Sequence, residues 1–205
     1  MPKHPIKSQF IVPFCGKVSE IQREKYYGHK AAIIWLTGLP ASGKTTIAVE
    51  LEYRLFQKQI KTFVIDGDNL RQGLSGDLGF ALADRVENIR RAGEVAKLFF
   101  DAGLIIIASL ISPLRTSRDE VRDLIPQGKF IEVFVDCPLA ECEQRDPKGL
   151  YAMARKGEIP FFTGISAPYE IPLHPEIHLQ TRELSVEECT ENIMAYLKRK
   201  EFISA

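Results

Sequence analysis

The chain has 205 residues, 45% of them hydrophobic and 26% charged, and its 27 Lys+Arg balance 27 Asp+Glu. That length suits one domain around a single core, and the neutral balance lacks the basic footprint of a DNA- or RNA-binding surface. The longest largely hydrophobic stretch, 104–111, spans eight residues with Ser109 among them, where a membrane helix needs about 20, so neither nucleic acid nor membrane is an expected partner.

The opening MPKHPIKSQF lacks the apolar stretch of a signal peptide, and residues 1 to about 18 show no period. Ser19 and Gln22 have capping-box spacing, which predicts a short helix ending near Gly28. Residues 1–30 therefore read as an N-terminal extension and 31–205 as one domain. Cys15, Cys137, Cys142 and Cys189 form no CxxC pair, which fits a reducing, cytoplasmic setting and argues against a zinc site. His174 and His178 are four apart but have no third ligand nearby, so they read as structural or surface histidines.

From Ala31 an apolar run to Leu36 predicts the first strand, a Gly/Pro/Ser loop follows, and a helix is expected from Lys44 to about Lys58. Lys61 to Ile65 is a second, short strand. Val86, Ile89, Val95, Leu98 and Phe99 recur at helical spacing within a helix from Asp84 to Asp101. The isoleucine-rich run 104–110 predicts a strand buried on both faces. Thr116 to Leu124 reads as helix, Phe130 to Val135 as strand, Pro138 to Arg145 as a short helix, and 146–175 as a loop-rich region with a helical turn or two. Glu176 to Gln180 predicts the last strand, and Ser185 with Glu188 caps the closing helix to Lys198. This alternation predicts an α/β fold, a three-layer α/β/α sandwich on a mainly parallel five-stranded sheet.

Gly38-Leu39-Pro40-Ala41-Ser42-Gly43-Lys44-Thr45, followed by Thr46, fits GxxxxGK[ST] between a predicted strand and a predicted helix. In that pattern glycines let backbone N–H groups converge on phosphate, Lys44 neutralises the β- and γ-phosphates, and Thr45 offers a hydroxyl to Mg²⁺. ATP with Mg²⁺ is the expected donor. A GTPase is disfavoured, because no Asn is followed by Lys as an Asn-Lys-x-Asp base reader requires. Residues 145–156 carry four Lys/Arg and one Asp, a charge suited to a cationic lid over transferring phosphate, though a solvated loop would read the same way. Asp66-Gly67-Asp68-Asn69-Leu70-Arg71 follows the second strand at the ligand-binding end of such a sheet. Its carboxylates could orient an attacking hydroxyl or hold metal, or Asp66 could simply cap the next helix.

Taken with DGDNLRQGLSGDLGF (66–80), DRVENIRR (84–91), SLISPLRTSRDEVR (109–122), FIEVFVDCPLAECEQRDPKGLYAMARKGEIPFFTG (130–164) and PYEIP (168–172), the sequence resembles the adenylylsulfate kinases. The resemblance implies ATP-dependent phosphorylation of the 3′-hydroxyl of adenosine 5′-phosphosulfate. By that likeness Asp68 lies near the 3′-hydroxyl and Asp66 supports Mg²⁺ through water. Arg71, Arg85 and Asn88 hold the phosphosulfate, Phe80 and Phe162 sandwich the acceptor adenine, and Ile111 and Ser112 line the same pocket. Lys148 brings charge from a lid over about 145–172, and the donor adenine lies against Arg145 and Leu184. Ser112 occupies the family's phosphoserine position, yet no neighbouring base in the sequence activates it, so direct transfer is expected. A homodimer is implied. Plant relatives carry a regulatory cysteine pair; Cys15 could echo one member, but Thr62 stands at the other position, so no such switch is expected. Two other readings share the donor loop: a kinase for another small alcohol, and a nucleotide sensor. The first would not need both acceptor-side stretches, and the second would not keep Lys44, Asp68 and the lid.

Overall fold

The computed structural model describes residues 10, 12 and 16–204; Cys15 lies outside them. Five strands form one all-parallel sheet in the order β2-β3-β1-β4-β5: β1 (Ala32–Thr37), β2 (Thr62–Asp66), β3 (Ile105–Ser109), β4 (Phe130–Asp136) and β5 (Ile177–Gln180). Strand β1 is central and buried along its whole length, because apolar residues on both faces of the pleat find helices to cover them. Ala32, Ile34 and Leu36 join Leu51 of α2 (Lys44–Gln57) and Ile193 and Leu197 of α8 (Val186–Arg199) on one face. Ile33 and Trp35 join Ile89 and Ala92 of α4 (Leu82–Asp101) and Val121 of α5 (Arg115–Arg122) on the other. Each Ile, Leu or Val among them contributes about 1.5–3 kcal/mol on burial. The three-layer sandwich is thus as expected, with every strand pair parallel.

The buried face of α4 differs from the expected one. Asn88, Ile89, Ala92, Gly93, Ala96 and Phe100 point inward, while Leu98 is 70% exposed. Small residues replace large ones on that face because α5 presses close: a Cβ on Gly93 would stand 2.6 Å from Val121 Cγ2. Of the expected stripe Ile89 is buried and Val95 and Phe99 pack at its margin, but hydrophobicity alone misses the centre of the face, where the helix–helix approach selects Ala and Gly.

Helix α1 (Glu20–Tyr27) has the predicted capping box, with Ser19 Oγ accepting from Gln22 N, and Gly28 closes it in the left-handed region. It lies at the N-terminal ends of the strands, where Arg23 donates to the Ala102 carbonyl and Lys129 pairs with Glu24 at 2.9 Å. The 202–204 segment reaches the same rim through Lys30 N and the Phe202 carbonyl, 2.9 Å apart. After β4 come α6 (Leu139–Arg145) and α7 (Leu150–Arg155), where Cys137, Cys142, Tyr151, Ala154 and Phe162 make a small apolar cluster of their own. The three described cysteines are free thiols. His178 is exposed and bonds Asp136 at 2.8 Å, and His174 is exposed. Among the described residues no helix is long and apolar enough to cross a membrane.

Candidate active site

A cleft of about 1440 Å³ opens at the C-terminal ends of β1, β2 and β3. Its floor is the turn between β1 and α2. Gly38 can have no Cβ, since one would fall 2.4 Å from the Val135 carbonyl oxygen. Gly43 enters α2 at φ +102°, a conformation that side chains avoid. The turn therefore presents backbone N–H groups and a helix N-terminus to the cleft, the arrangement that receives phosphate. Pro40, Ala41, Gly43, Lys44, Thr45 and Thr46 line the opening. Leu39 instead packs against the cluster around Tyr151, and Ser42 is buried beneath the turn.

Lys44 is only 8% exposed and folds back on its own turn, donating to the Gly38 carbonyl at 3.0 Å, the Leu39 carbonyl at 2.6 Å and Ser42 Oγ at 3.4 Å. Burial pulls its pKa down to about 8, an effect only partly offset by Asp66 and Asp68. The ammonium waits in a cage of neutral oxygens, where a polyanion would be a better partner.

Strand β2 delivers the acidic pair. Asp66 caps α3 (Gly67–Gln72): Oδ1 accepts from Asp68 N at 2.9 Å, while Oδ2 accepts from Thr45 Oγ1 at 3.0 Å. Thr45 Oγ1 also lies 3.1 Å from Ser109 Oγ. Capping and site-building are therefore the same carboxylate's work, one oxygen for each. Asp68 gives the cap only its backbone N–H, and its carboxylate meets Lys148, whose Nζ donates to Asp68 Oδ2. That hydrogen bond raises the lysine's pKa.

Next to this pair stands a basic wall. Arg71 donates to the carbonyls of Leu78 and Gly79 and lies 4.4 Å from the Phe80 ring centroid. Arg85 donates to the Phe80 carbonyl at 2.9 Å, Thr163 Oγ1 at 2.7 Å and the Phe161 carbonyl at 2.6 Å, so it bridges the 66–80 and 161–163 segments. Burial lowers both guanidinium pKa values, although arginine stays charged throughout. Phe80 is 55% exposed, whereas Phe162 is buried edge-on against Tyr151 at 4.9 Å, and both line the cleft. Asn88 is buried there too, with an Oδ1 that has no protein partner. A buried acceptor of that kind is costly until a donor reaches it.

Ile111 and Ser112 form the opposite wall. Ser112 is 1% exposed and sits at φ +40°. Its Oγ accepts from Trp35 Nε1 at 3.1 Å and donates to the Leu110 carbonyl at 3.3 Å. A hydroxyl held this way touches no group able to take its proton. Arg145 and Leu184 line the far side, where Arg145 donates to the Thr181 carbonyl at 2.7 Å and Thr181 Oγ1 donates to the Ser42 carbonyl at 2.9 Å.

The structure thus gathers Lys44, Thr45, Asp66, Asp68, Arg71, Phe80, Arg85, Asn88, Ile111, Ser112, Arg145, Lys148, Phe162 and Leu184 around one cleft. Sequence reasoning missed the supports: Tyr151, whose hydroxyl donates to the Pro40 carbonyl at 3.0 Å, and Thr181 and Ser109. None carries a local signal, since each is an ordinary residue made relevant by a distant partner.

A family model described as adenylylsulphate kinase matches residues 30–180. The chain is 53% identical to an adenylyl-sulfate kinase of Marinobacter nauticus, covering 92% of this chain and 95% of that protein. It is 54% identical to an adenylyl-sulfate kinase of Staphylococcus haemolyticus, covering 92% and 94%. Among solved structures, the Mycobacterium tuberculosis APS kinase CysC in complex with AMPPNP and APS superposes with a TM-score of 0.80 at 45% identity, covering 83% of this chain and 99% of that one.

Proposed function

The chain belongs to the adenylylsulfate kinase family, which phosphorylates the 3′-hydroxyl of adenosine 5′-phosphosulfate at the expense of ATP, and we propose that it does so by direct in-line transfer in the cleft described above. The observation that carries this reading is the meeting, in one cleft, of a phosphate turn with its buried Lys44 and a carboxylate, Asp68, backed by a basic wall.

Asp68 orients and accepts the proton of the ribose 3′-hydroxyl. The oxygen then bonds to the γ-phosphorus as the bond to the β,γ-bridging oxygen breaks, giving 3′-phosphoadenosine 5′-phosphosulfate and ADP. Lys44 leaves its carbonyl cage for the β- and γ-phosphates, and Lys148 stands beside the reacting groups, both countering charge that grows on the transferring group. Arg71, Arg85 and Asn88 hold the phosphosulfate, and Phe80 with Phe162 receives the acceptor adenine. Pro40, Ala41, Gly43, Thr46, Arg145 and Leu184 take the donor, with Gly38, Leu39 and Ser42 shaping the turn from behind.

The oxygens of Thr45 and Asp66, with Ser109 beside them, are hard ligands, suited to Mg²⁺ held partly through water. Bound there, the ion would supply positive charge to the phosphates of the donor. Ser112 serves as a pocket wall, because its hydroxyl is committed to Leu110 and Trp35 and no base approaches it. Segment 145–172 acts as the lid, tied to the phosphate turn where the Tyr151 hydroxyl donates to the Pro40 carbonyl. A homodimer completes the proposal, supported by the exposed Tyr53 and Phe56 one turn apart on α2, and light scattering tests it.

The test of function is coupled ADP release with and without adenosine 5′-phosphosulfate. Turnover that requires this acceptor is expected. ATP consumption indifferent to it would overturn the reading.

A further inference from the structure

Among the described residues Arg118 is the largest buried charged side chain, 2% exposed on α5, and it spends its guanidinium on three separate segments. Nε donates to Glu132 Oε1 of β4 at 2.6 Å, Nη1 to the Ser112 carbonyl at 2.7 Å, and Nη2 to the Glu170 carbonyl at 2.8 Å. The same segments are tied again nearby. Glu170 N donates to the Pro113 carbonyl at 2.8 Å, and Thr37 Oγ1, one residue before the phosphate turn, donates to the Ile111 carbonyl at 2.8 Å and lies 3.0 Å from the Tyr169 hydroxyl. Glu132 is held from behind by Arg122, which pairs with Glu176 at 2.6 Å.

The residues so clamped, Ile111, Ser112 and Pro113, line the cleft on its acceptor side. Ser112 stands there in the left-handed region at φ +40°, a conformation a serine keeps only when its surroundings impose it. A single planar fork, bonded to the carbonyl of that strained residue and to the carbonyl of Glu170, can impose it; a lysine could satisfy Glu132 but not both carbonyls as well. We propose that Arg118 is a positioning residue that sets the acceptor wall of the cleft, acting through the Ser112 carbonyl without touching either substrate. This rests on the kinase reading above and deepens it: the wall facing adenosine 5′-phosphosulfate is set by a buried charge on α5, on the same face of the sheet as α4.

Two variants test it. Arg118→Lys keeps a cation opposite Glu132 but loses the fork, and Arg118→Met combined with Glu132→Leu removes both charges so that neither is left buried and unpaired. In each, kcat/KM for adenosine 5′-phosphosulfate is expected to fall about tenfold or more, through KM, as orientation of the acceptor is lost. The Kd for a non-hydrolysable ATP analogue, measured by calorimetry, should stay within about twofold of wild type, since the fork bonds no residue of the phosphate turn and Thr37 before it keeps its own bond to the Ile111 carbonyl. Unchanged acceptor kinetics in either folded variant overturns the proposal. So does an equal loss toward both substrates with a lowered melting temperature, because that is the signature of general destabilisation. Failure of wild-type protein to use the acceptor at all would instead sink the kinase reading, which keeps the two failures distinct.

Discussion

Raising the pH from 7 to 9 is expected to weaken nucleotide binding through Lys44 alone. Its pKa is held at about 8 by burial among carbonyl oxygens, whereas against a triphosphate it would remain charged across this range. The binding-competent, protonated fraction is about 0.9 at pH 7 and about 0.09 at pH 9, so Kd for a non-hydrolysable ATP analogue should rise about tenfold, or about 1.4 kcal/mol. At pH 8 about half a proton should be taken up per nucleotide bound. Titration calorimetry in two buffers of different ionisation enthalpy reads both quantities. Lys44→Arg is the control: it binds more weakly but cannot titrate, so phosphate ionisation common to both proteins cancels in the comparison. Stability should move the other way. A lysine whose folded pKa lies below its unfolded one costs stability while charged, so the ligand-free protein should gain up to about 3 kcal/mol from this group between pH 8 and 10.5. A Kd ratio between wild type and Lys44→Arg that stays constant from pH 7 to 9 would refute the argument.

Three further outcomes follow from particular contacts. Asp68→Asn should lower kcat about 10²-fold or more while leaving ATP-analogue affinity nearly intact; a collapse of that affinity would make Asp68 a metal-site residue instead. Ser112→Ala should keep kcat within a few-fold, and γ-labelled ATP should leave no acid-stable label on the wild-type protein, at a cost of about 1 kcal/mol in stability for the acceptor lost to Trp35. Gly93→Ala should lower the melting temperature by about 2–4 °C, since its Cβ would meet Val121 Cγ2 at 2.6 Å, and adding Val121→Ala should restore most of the loss.

The donor half of the site was legible because its chemistry is local. Eight consecutive residues make the phosphate turn, and the spacing itself encodes the glycine geometry at 38 and 43. The acceptor half was legible only through family resemblance, as DGDNLR alone left Asp66 between a cap and a site residue; the structure shows it serving both through separate oxygens. Strand β1 and helix α8 were readable from burial pattern and capping box, whereas the inner face of α4 was not, because contact with α5 selects Ala92, Gly93 and Ala96 over bulk. The Arg118 fork lay beyond any local signal. Its partners come from β4, the Ser112 turn and residue 170, and only the folded sheet brings them within 3 Å.

Helix α1 and the 202–204 segment meet at the N-terminal ends of the strands, while the cleft opens at the C-terminal ends. The molecule therefore has a handle and a mouth on opposite sides. Anchoring it to a solid support through residues of α1, or through the surface beside Phe202, would leave the cleft and the 145–172 segment facing solution. Coupling through α2 or α8 would crowd the donor side at Thr46 and Leu184. An immobilised preparation made both ways would show, by its retained turnover, which face the substrates use to enter.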